Sequence, residues 1–133
     1  KSGGSIASAW AVLRHLGDDG YTALVRQTRN ATEQLANHIV AHPHLVLRAY
    51  PDSTLICFGA ADPSVLNVFA VADELRIRGW YVDRQTPPDS LHCTVNAIHH
   101  DKIDAFVVDL DASIESVLST RLSGDVGSYG NLE

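Results

Sequence analysis

Leu45-Val46-Leu47-Arg48-Ala49-Tyr50-Pro51-Asp52-Ser53-Thr54-Leu55-Ile56-Cys57-Phe58-Gly59 decides the fold. Two apolar, β-rich runs, 45–50 and 54–59, flank a Pro-Asp-Ser turn, and that pattern predicts a β-hairpin. A second pair follows. Trp80-Tyr81-Val82-Asp83-Arg84-Gln85 predicts a third strand, with Trp80, Val82 and Arg84 on one face. Thr86-Pro87-Pro88-Asp89 turns the chain into a fourth, Leu91-His92-Cys93-Thr94-Val95-Asn96. Helical patterns surround these runs. Ser5 to Leu16 is apolar almost all round, which in a helix implies cover on every side. Gly17 is expected to stop it as a left-handed residue, and Asp18 or Asp19 to cap a second helix ending at His42-Pro43. On that second helix Tyr21, Leu24, Val25, Thr28, Leu35 and Ile39 form an apolar stripe, and Arg26, Arg29, Asn30, Glu33 and Asn37 a solvated face.

A third helix starts with Asn67 as its cap, or a turn earlier at Asp62-Pro63, and ends at Arg78 before Gly79. Asp101 is expected to cap the last helix, with Asp104 in its first turn and Ile103, Phe106, Val107, Leu110, Ile114, Val117 and Leu118 facing inward. The order is α-α-β-β-α-β-β-α: an α+β layer, an antiparallel sheet with helices on one face. We divide the chain into a glycine loop and leading helix (1–20), an α+β domain (21–122) and a Gly/Ser-rich tail (123–133) expected to be disordered.

The 133 residues suffice for one domain with a real core. An apolar fraction of 45% and a charged fraction of 20% are those of an ordinary globular protein. A net charge of −6 argues against nucleic-acid binding, and no apolar run approaches the roughly 20 residues of a membrane span. The chain contains no methionine and opens inside a turn–helix junction, which we read as the C-terminal piece of a longer protein. Cys57 and Cys93 lie in strand-like runs, either as free thiols of a reducing cytoplasm or as a cross-strand disulfide.

Candidate chemistry is sparse. Seven histidines raise the question of a metal. His38, His42 and His44 cluster near a helix end and His99 and His100 are adjacent, but a convergent set of three or four ligands is not evident, and we assign no metal. Roles for His38, His42 and His44 stay open. His92 and Cys93 point to opposite faces of their strand and cannot form a nucleophile pair. His92, Thr94 and Asn96 share one face, which is either exposed or the wall of a cleft. Asp109 and Asp111 are expected on the solvated side of the last helix. No carboxylate pair has catalytic spacing. Ser2-Gly3-Gly4-Ser5 before a helix is either a structural turn or an anion cradle, since helix-start N–H groups would face the loop.

Several of these residues together resemble a known family. Ser2-Gly3-Gly4-Ser5-Ile6-Ala7-Ser8-Ala9-Trp10-Ala11 and His15-Leu16-Gly17-Asp18-Asp19-Gly20-Tyr21 are similar to the start of the C-terminal region of sphingosine-1-phosphate lyase-like enzymes, within the group II amino-acid decarboxylases. Pro51-Asp52-Ser53-Thr54-Leu55 with Phe58-Gly59, Leu75-Arg76 with Arg78-Gly79-Trp80, and Pro87-Pro88 with Ser90-Leu91-His92 follow in order. The resemblance implies the small C-terminal domain of a fold type I enzyme dependent on pyridoxal phosphate (PLP). Such enzymes are usually homodimers with active sites at the subunit interface. It implies a carbon–carbon lyase or amino-acid decarboxylase, soluble and cytoplasmic, with this chain's own large PLP-binding domain as a partner. The Schiff-base lysine would lie in that absent domain, leaving no catalytic residue here and an inactive isolated chain. Ser2, Gly3 and Gly4 would approach the cofactor phosphate of a neighbouring subunit, and His92, Thr94 and Asn96 would help wall the cleft. Lys1 stands where the family often has arginine; it keeps the charge but not the planar fork. The competing expectation is a free-standing α+β ligand-binding or regulatory module. Against it stands the first helix: a self-sufficient module should not expose Ile6, Trp10 and Leu13 together.

Overall fold

The computed structural model describes residues 3–120. It contains α1 (Gly3–Ala41), β1 (Leu45–Leu47), β2 (Leu55–Ala60), α2 (Val68–Ile77), β3 (Asp83–Gln85), β4 (Ser90–Thr94), a 3-10 helix (Ala97–Lys102) and α3 (Ile103–Thr120). Lys1, Ser2 and the expected tail lie outside the described residues. The four strands form one sheet in the order β1-β2-β4-β3, antiparallel at every pairing.

The two expected N-terminal helices are the arms of α1, broken at Gly17. Its φ of 58° was anticipated, but its ψ of −172° is not left-handed helical. It falls in a region that essentially only glycine occupies, because a Cβ collides there with the backbone. The arms differ in cover. Residues of α1 become buried only from Thr28 onward, through Ala31, Thr32, Leu35, Ala36 and Ile39. The first part of the expected stripe is not in the core: Tyr21, Leu24 and Val25 are exposed.

The hairpin forms as expected with shorter strands. Leu45 pairs with Ala60 and Leu47 with Phe58, and Arg48 N–H donates to Cys57 O (2.9 Å). The turn is held from outside. Arg29, expected on a solvated face, donates through Nη1 to the carbonyls of Pro51 and Ser53. Asn67 caps α2 through Oδ1, which accepts from Phe69 N (3.0 Å) and Ala70 N (3.1 Å). That satisfies two of the donors a helix start leaves open. Asp62 instead makes a local turn with Ser64. Gly79, at φ 90°, follows α2 where a side chain would be strained.

Side chains alternate across a strand, and opposed residues share a face. Ile56, Phe58, Leu91 and Val95 therefore point together, and all are buried against the helices. Leu55 and Thr94, opposed to each other on the other face, are exposed. The helices thus cover one face only. α2 is buried along most of its length between the sheet and α3. The buried hydroxyls of Thr28, Thr32, Ser90 and Ser113 each donate to a main-chain carbonyl, so none is left unpaired in the core.

Two further expectations fail, each for its own reason. Trp80 to Val82 do not pair as strand, because Trp80 is drawn to α3. Its indole Nε1 donates to Asp109 (2.7 Å) and its ring meets Phe106 edge-on at 5.2 Å. Asp101 does not cap α3. The chain leaves β4 through a 3-10 turn headed by Asn96, whose N–H donates to His99 Nδ1 (3.0 Å), and that turn runs directly into α3.

Candidate functional site

Splaying of residues 80–82 from β4 opens a cavity of about 230 Å³ at the sheet edge. Its floor comes from the core: Leu35 of α1, Val82, and Ile103 and Phe106 at the start of α3. Its rim is polar, with Asp83, His92, Thr94 and Lys102. Asp83 and His92 are opposed in the β3–β4 pair. Among the described residues none of the four rim side chains has a hydrogen bond or ion pair. The strand edge is open as well. Val95 N–H donates to Thr54 O (2.9 Å), so alternate residues of β4 turn their main chain toward β2 and Thr94 turns its own the other way. β3 begins only at Asp83, and nothing pairs with Thr94 there. An apolar floor with a few convergent polar groups has the composition of a ligand pocket.

Of the expected wall residues, His92 and Thr94 line this cavity. Asn96 does not; it lies beyond the end of β4 and heads the 3-10 turn. Gly3 and Gly4 form the exposed first turn of α1, and a Cβ at Gly3 would meet nothing within 4 Å. Ser2 is outside the described residues.

The cysteines are free and sit on opposite faces, since Cys57 is opposed to His92 and Cys93 to Ile56. The disulfide alternative is thereby excluded. Burial, with Asp83 and Cys57 adding smaller effects, pushes the Cys93 thiol up to about 12, which disfavours the thiolate that a nucleophile needs.

The histidine cluster serves packing between helices. His38 Nε2 lies 2.7 Å from Asp111 Oδ1, and His42 Nε2 lies 3.8 Å from the same oxygen. Asp109 and Asp111, expected in solvent, are each half-buried and each spent on a ring N–H partner from another element. Burial holds His42 below the ordinary histidine value; Asp111 opposes that effect, while His38 and His44 reinforce it. Among the described residues no group of three His, Cys, Asp or Glu side chains is arranged for a metal, and no helix is long and apolar enough to cross a membrane.

A second hollow lies beside Arg48. Arg48 Nε donates to Ser90 Oγ (2.8 Å) and Nη2 to Asp89 O (2.6 Å), tying the proline turn to β1. Gly59 makes room for this arrangement, because a Cβ there would sit 2.1 Å from Arg48 Nη2 and 2.7 Å from Asp89 O.

No family model matches the chain. It is 28% identical over 117 residues to the sphingosine-1-phosphate lyase of Arabidopsis thaliana, a match covering 88% of this chain and 21% of that protein. A probable L-tyrosine/L-aspartate decarboxylase of Methanosphaera stadtmanae is 27% identical over 86% of the chain and 29% of its own length. Among solved structures, a sphingosine-1-phosphate lyase of Burkholderia pseudomallei superposes with a TM-score of 0.81 at 28% identity, covering 91% of this chain and 27% of that one. The chain thus spans about a fifth to under a third of the length of the relatives it matches.

Proposed function

We propose, for a chain homologous to sphingosine-1-phosphate lyases and to L-tyrosine/L-aspartate decarboxylases, that it is the C-terminal small domain of a PLP-dependent carbon–carbon lyase or amino-acid decarboxylase. The observation that carries this reading is the superposition on about a quarter of a lyase across 91% of the chain. The exposed arm of α1 supports it: Ile6 is 67%, Trp10 63% and Leu13 57% exposed, and the domain that held the cofactor would cover them. The same three residues count against a free-standing regulatory module.

The residues of this chain do not fit the cofactor by themselves. Lys102, the one described lysine, sits in the 3-10 turn at the cavity rim, and no anion pocket is built around it. PLP would supply an electron sink for the substrate's bond cleavage, and the large domain would have to hold it. No step of the reaction falls to a residue described here. What this chain contributes is shape and a helix start. The start of α1 would approach an anion held by a neighbouring subunit, with Gly3 and Gly4 permitting close contact. Among the described residues nothing crowds a Cβ at Gly3, which supports placing the need for glycine in a partner surface. His92 and Thr94 stand on the uncovered face as candidate cleft wall, while Asn96 would contribute from the turn beyond it. The same reading makes the longer protein a homodimer.

The test is a visible spectrum of two polypeptides. We expect the longer protein to show the yellow of lysine-bound PLP and to release carbon dioxide or an aldehyde from its substrate. The 133-residue chain should be colourless and inactive with added cofactor. Stoichiometric cofactor binding by the short chain, or none by the long one, sinks the proposal.

A further inference from the structure

The histidines near the end of α1 do more than pack, and what they do is independent of the proposed lyase role. His42-Pro43-His44 carries the chain from α1 into β1, and a side chain closes this turn. The N–H of His44 donates to Nδ1 of the His42 ring (3.2 Å). His42 O accepts from Leu45 N (3.3 Å), and His44 O accepts from Ala61 N (2.9 Å). Together these bonds tie the edge strand β1 to the end of α1 and to the end of β2. An imidazole nitrogen that accepts carries no proton, so the neutral His42 ring has its hydrogen on Nε2. That nitrogen lies 3.8 Å from Asp111 Oδ1, the same oxygen that His38 Nε2 meets at 2.7 Å.

The titratable groups facing His42 come from three places: His38 on α1, His44 in the turn and Asp111 on α3. β1 brings only Leu45, Val46 and Leu47, and Asp62, beside Ala61, is engaged with Ser64. One carboxylate therefore serves three imidazoles. A proton added to His42 has one place to go, Nδ1. There it turns the acceptor of the His44 N–H into a second donor, and the bond that closes the turn is lost. We propose that the α1–β1 turn is a proton-operated latch, closed while His42 is neutral and released when His42 is charged. Release costs β1 its anchor on α1. Burial of the ring works in the same direction, since it disfavours the charged form while the turn is closed. Asp111 opposes burial and so sets how readily the latch opens.

The test is hydrogen exchange at the His44 and Leu45 amides of the isotope-labelled 133-residue chain, with the intrinsic exchange rate divided out. From about pH 7.5 to about 5.5 the parent should lose protection several-fold. About tenfold is the limit, for a ring that titrates at about 6.5 when open and not at all when closed. His42→Asn keeps an oxygen able to accept from the N–H two residues on and has nothing to protonate, so its protection should be equal at both pH values. His42→Ala should be poorly protected at both. Low urea should leave exchange at the turn unmoved while speeding it at Val95, because a local opening exposes little surface. A parent without the acid loss, a His42→Asn variant that shares it, or a His42→Ala variant that stays protected overturns the proposal. So does equal urea sensitivity at the turn and at Val95, which would mean that the turn opens only with the whole layer. Peptide-level exchange over residues 42–47 of the longer protein repeats the comparison, with the same outcomes, where the isolated chain's own stability does not enter.

Discussion

Residues 3–27 and 28–41 belong to one helix, yet they live in different environments. The first stretch has the more uniformly apolar beginning and no buried residue; the second alternates apolar and polar side chains and is buried along one stripe. Apolar periodicity alone therefore does not tell where a core lies. The C-terminal arm is amphipathic because solvent lies on one side of it and the sheet on the other. The N-terminal arm is apolar all round because, under the proposed function, it is enclosed by polypeptide that this chain does not contain.

The comparison can be broken most directly with two matched truncations. Leu35→Ala should cost about 2–5 kcal/mol in urea unfolding, because Leu35 is 2% exposed and its removal leaves a cavity. Leu13→Ala on the same helix should change the stability of this chain by no more than about 0.5 kcal/mol. Equal losses at the two positions would mean that the arms share one core. In the longer protein the Leu13→Ala cost should rise toward that of Leu35→Ala, which sharpens the contrast.

Smaller effects are expected at the glycines. Gly59→Ala forces a methyl against Arg48 and against the Asp89 carbonyl, and should destabilise by about 1–3 kcal/mol. Combining it with Arg48→Ala should recover only part of that, since the main-chain clash stays. Gly17→Ala places a Cβ in a glycine-only conformation, worth about 1–3 kcal/mol of local strain. Its signature should be faster amide exchange in residues 5–16 with the unfolding midpoint of the body unmoved. A shifted body midpoint would show the break to be part of the core.

The smallest expected effect is on pH dependence. His42 is held low in the folded chain chiefly by burial, so the unfolded state binds the proton more readily. That contribution is fully present above the ordinary histidine value of about 6.5 and is lost as pH falls below it. Urea midpoints should decline between about pH 7.5 and 5.5, and His42→Gln should flatten the decline. An identical slope in the variant would assign the effect to other groups.

Much of the layer was legible because local chemistry and tertiary structure agree. Asn67 caps α2, Gly79 follows it, and the 45–59 hairpin and the inner face of α3 come out as their periodicities imply. What was not legible depends on partners distant in sequence. Arg29 reads as surface charge until the Pro51–Ser53 carbonyls fold onto it. Asp109 and Asp111 read as solvated until Trp80 and His38 reach them. Trp80 to Val82 has the composition of a strand, and only the competition between β4 and α3 for Trp80 shows that the sheet loses. The cavity follows from that competition. His92 and Thr94 could be named from alternation, but Asp83 and Lys102 could not be joined to them without knowing where the strand lets go.

Gly17 has a mechanical consequence. Fourteen residues precede it from Gly3, a lever of roughly 21 Å at 1.5 Å per residue. A rotation of about 10° at this single residue would carry the tip of the arm about 4 Å, more than a hydrogen-bond length. Any surface that receives Gly3 and Gly4 accurately must therefore also grip the arm along Ile6, Trp10 and Leu13. Under the proposed function the apolar band is then an alignment rail, setting the angle at which this chain meets the rest of the longer protein.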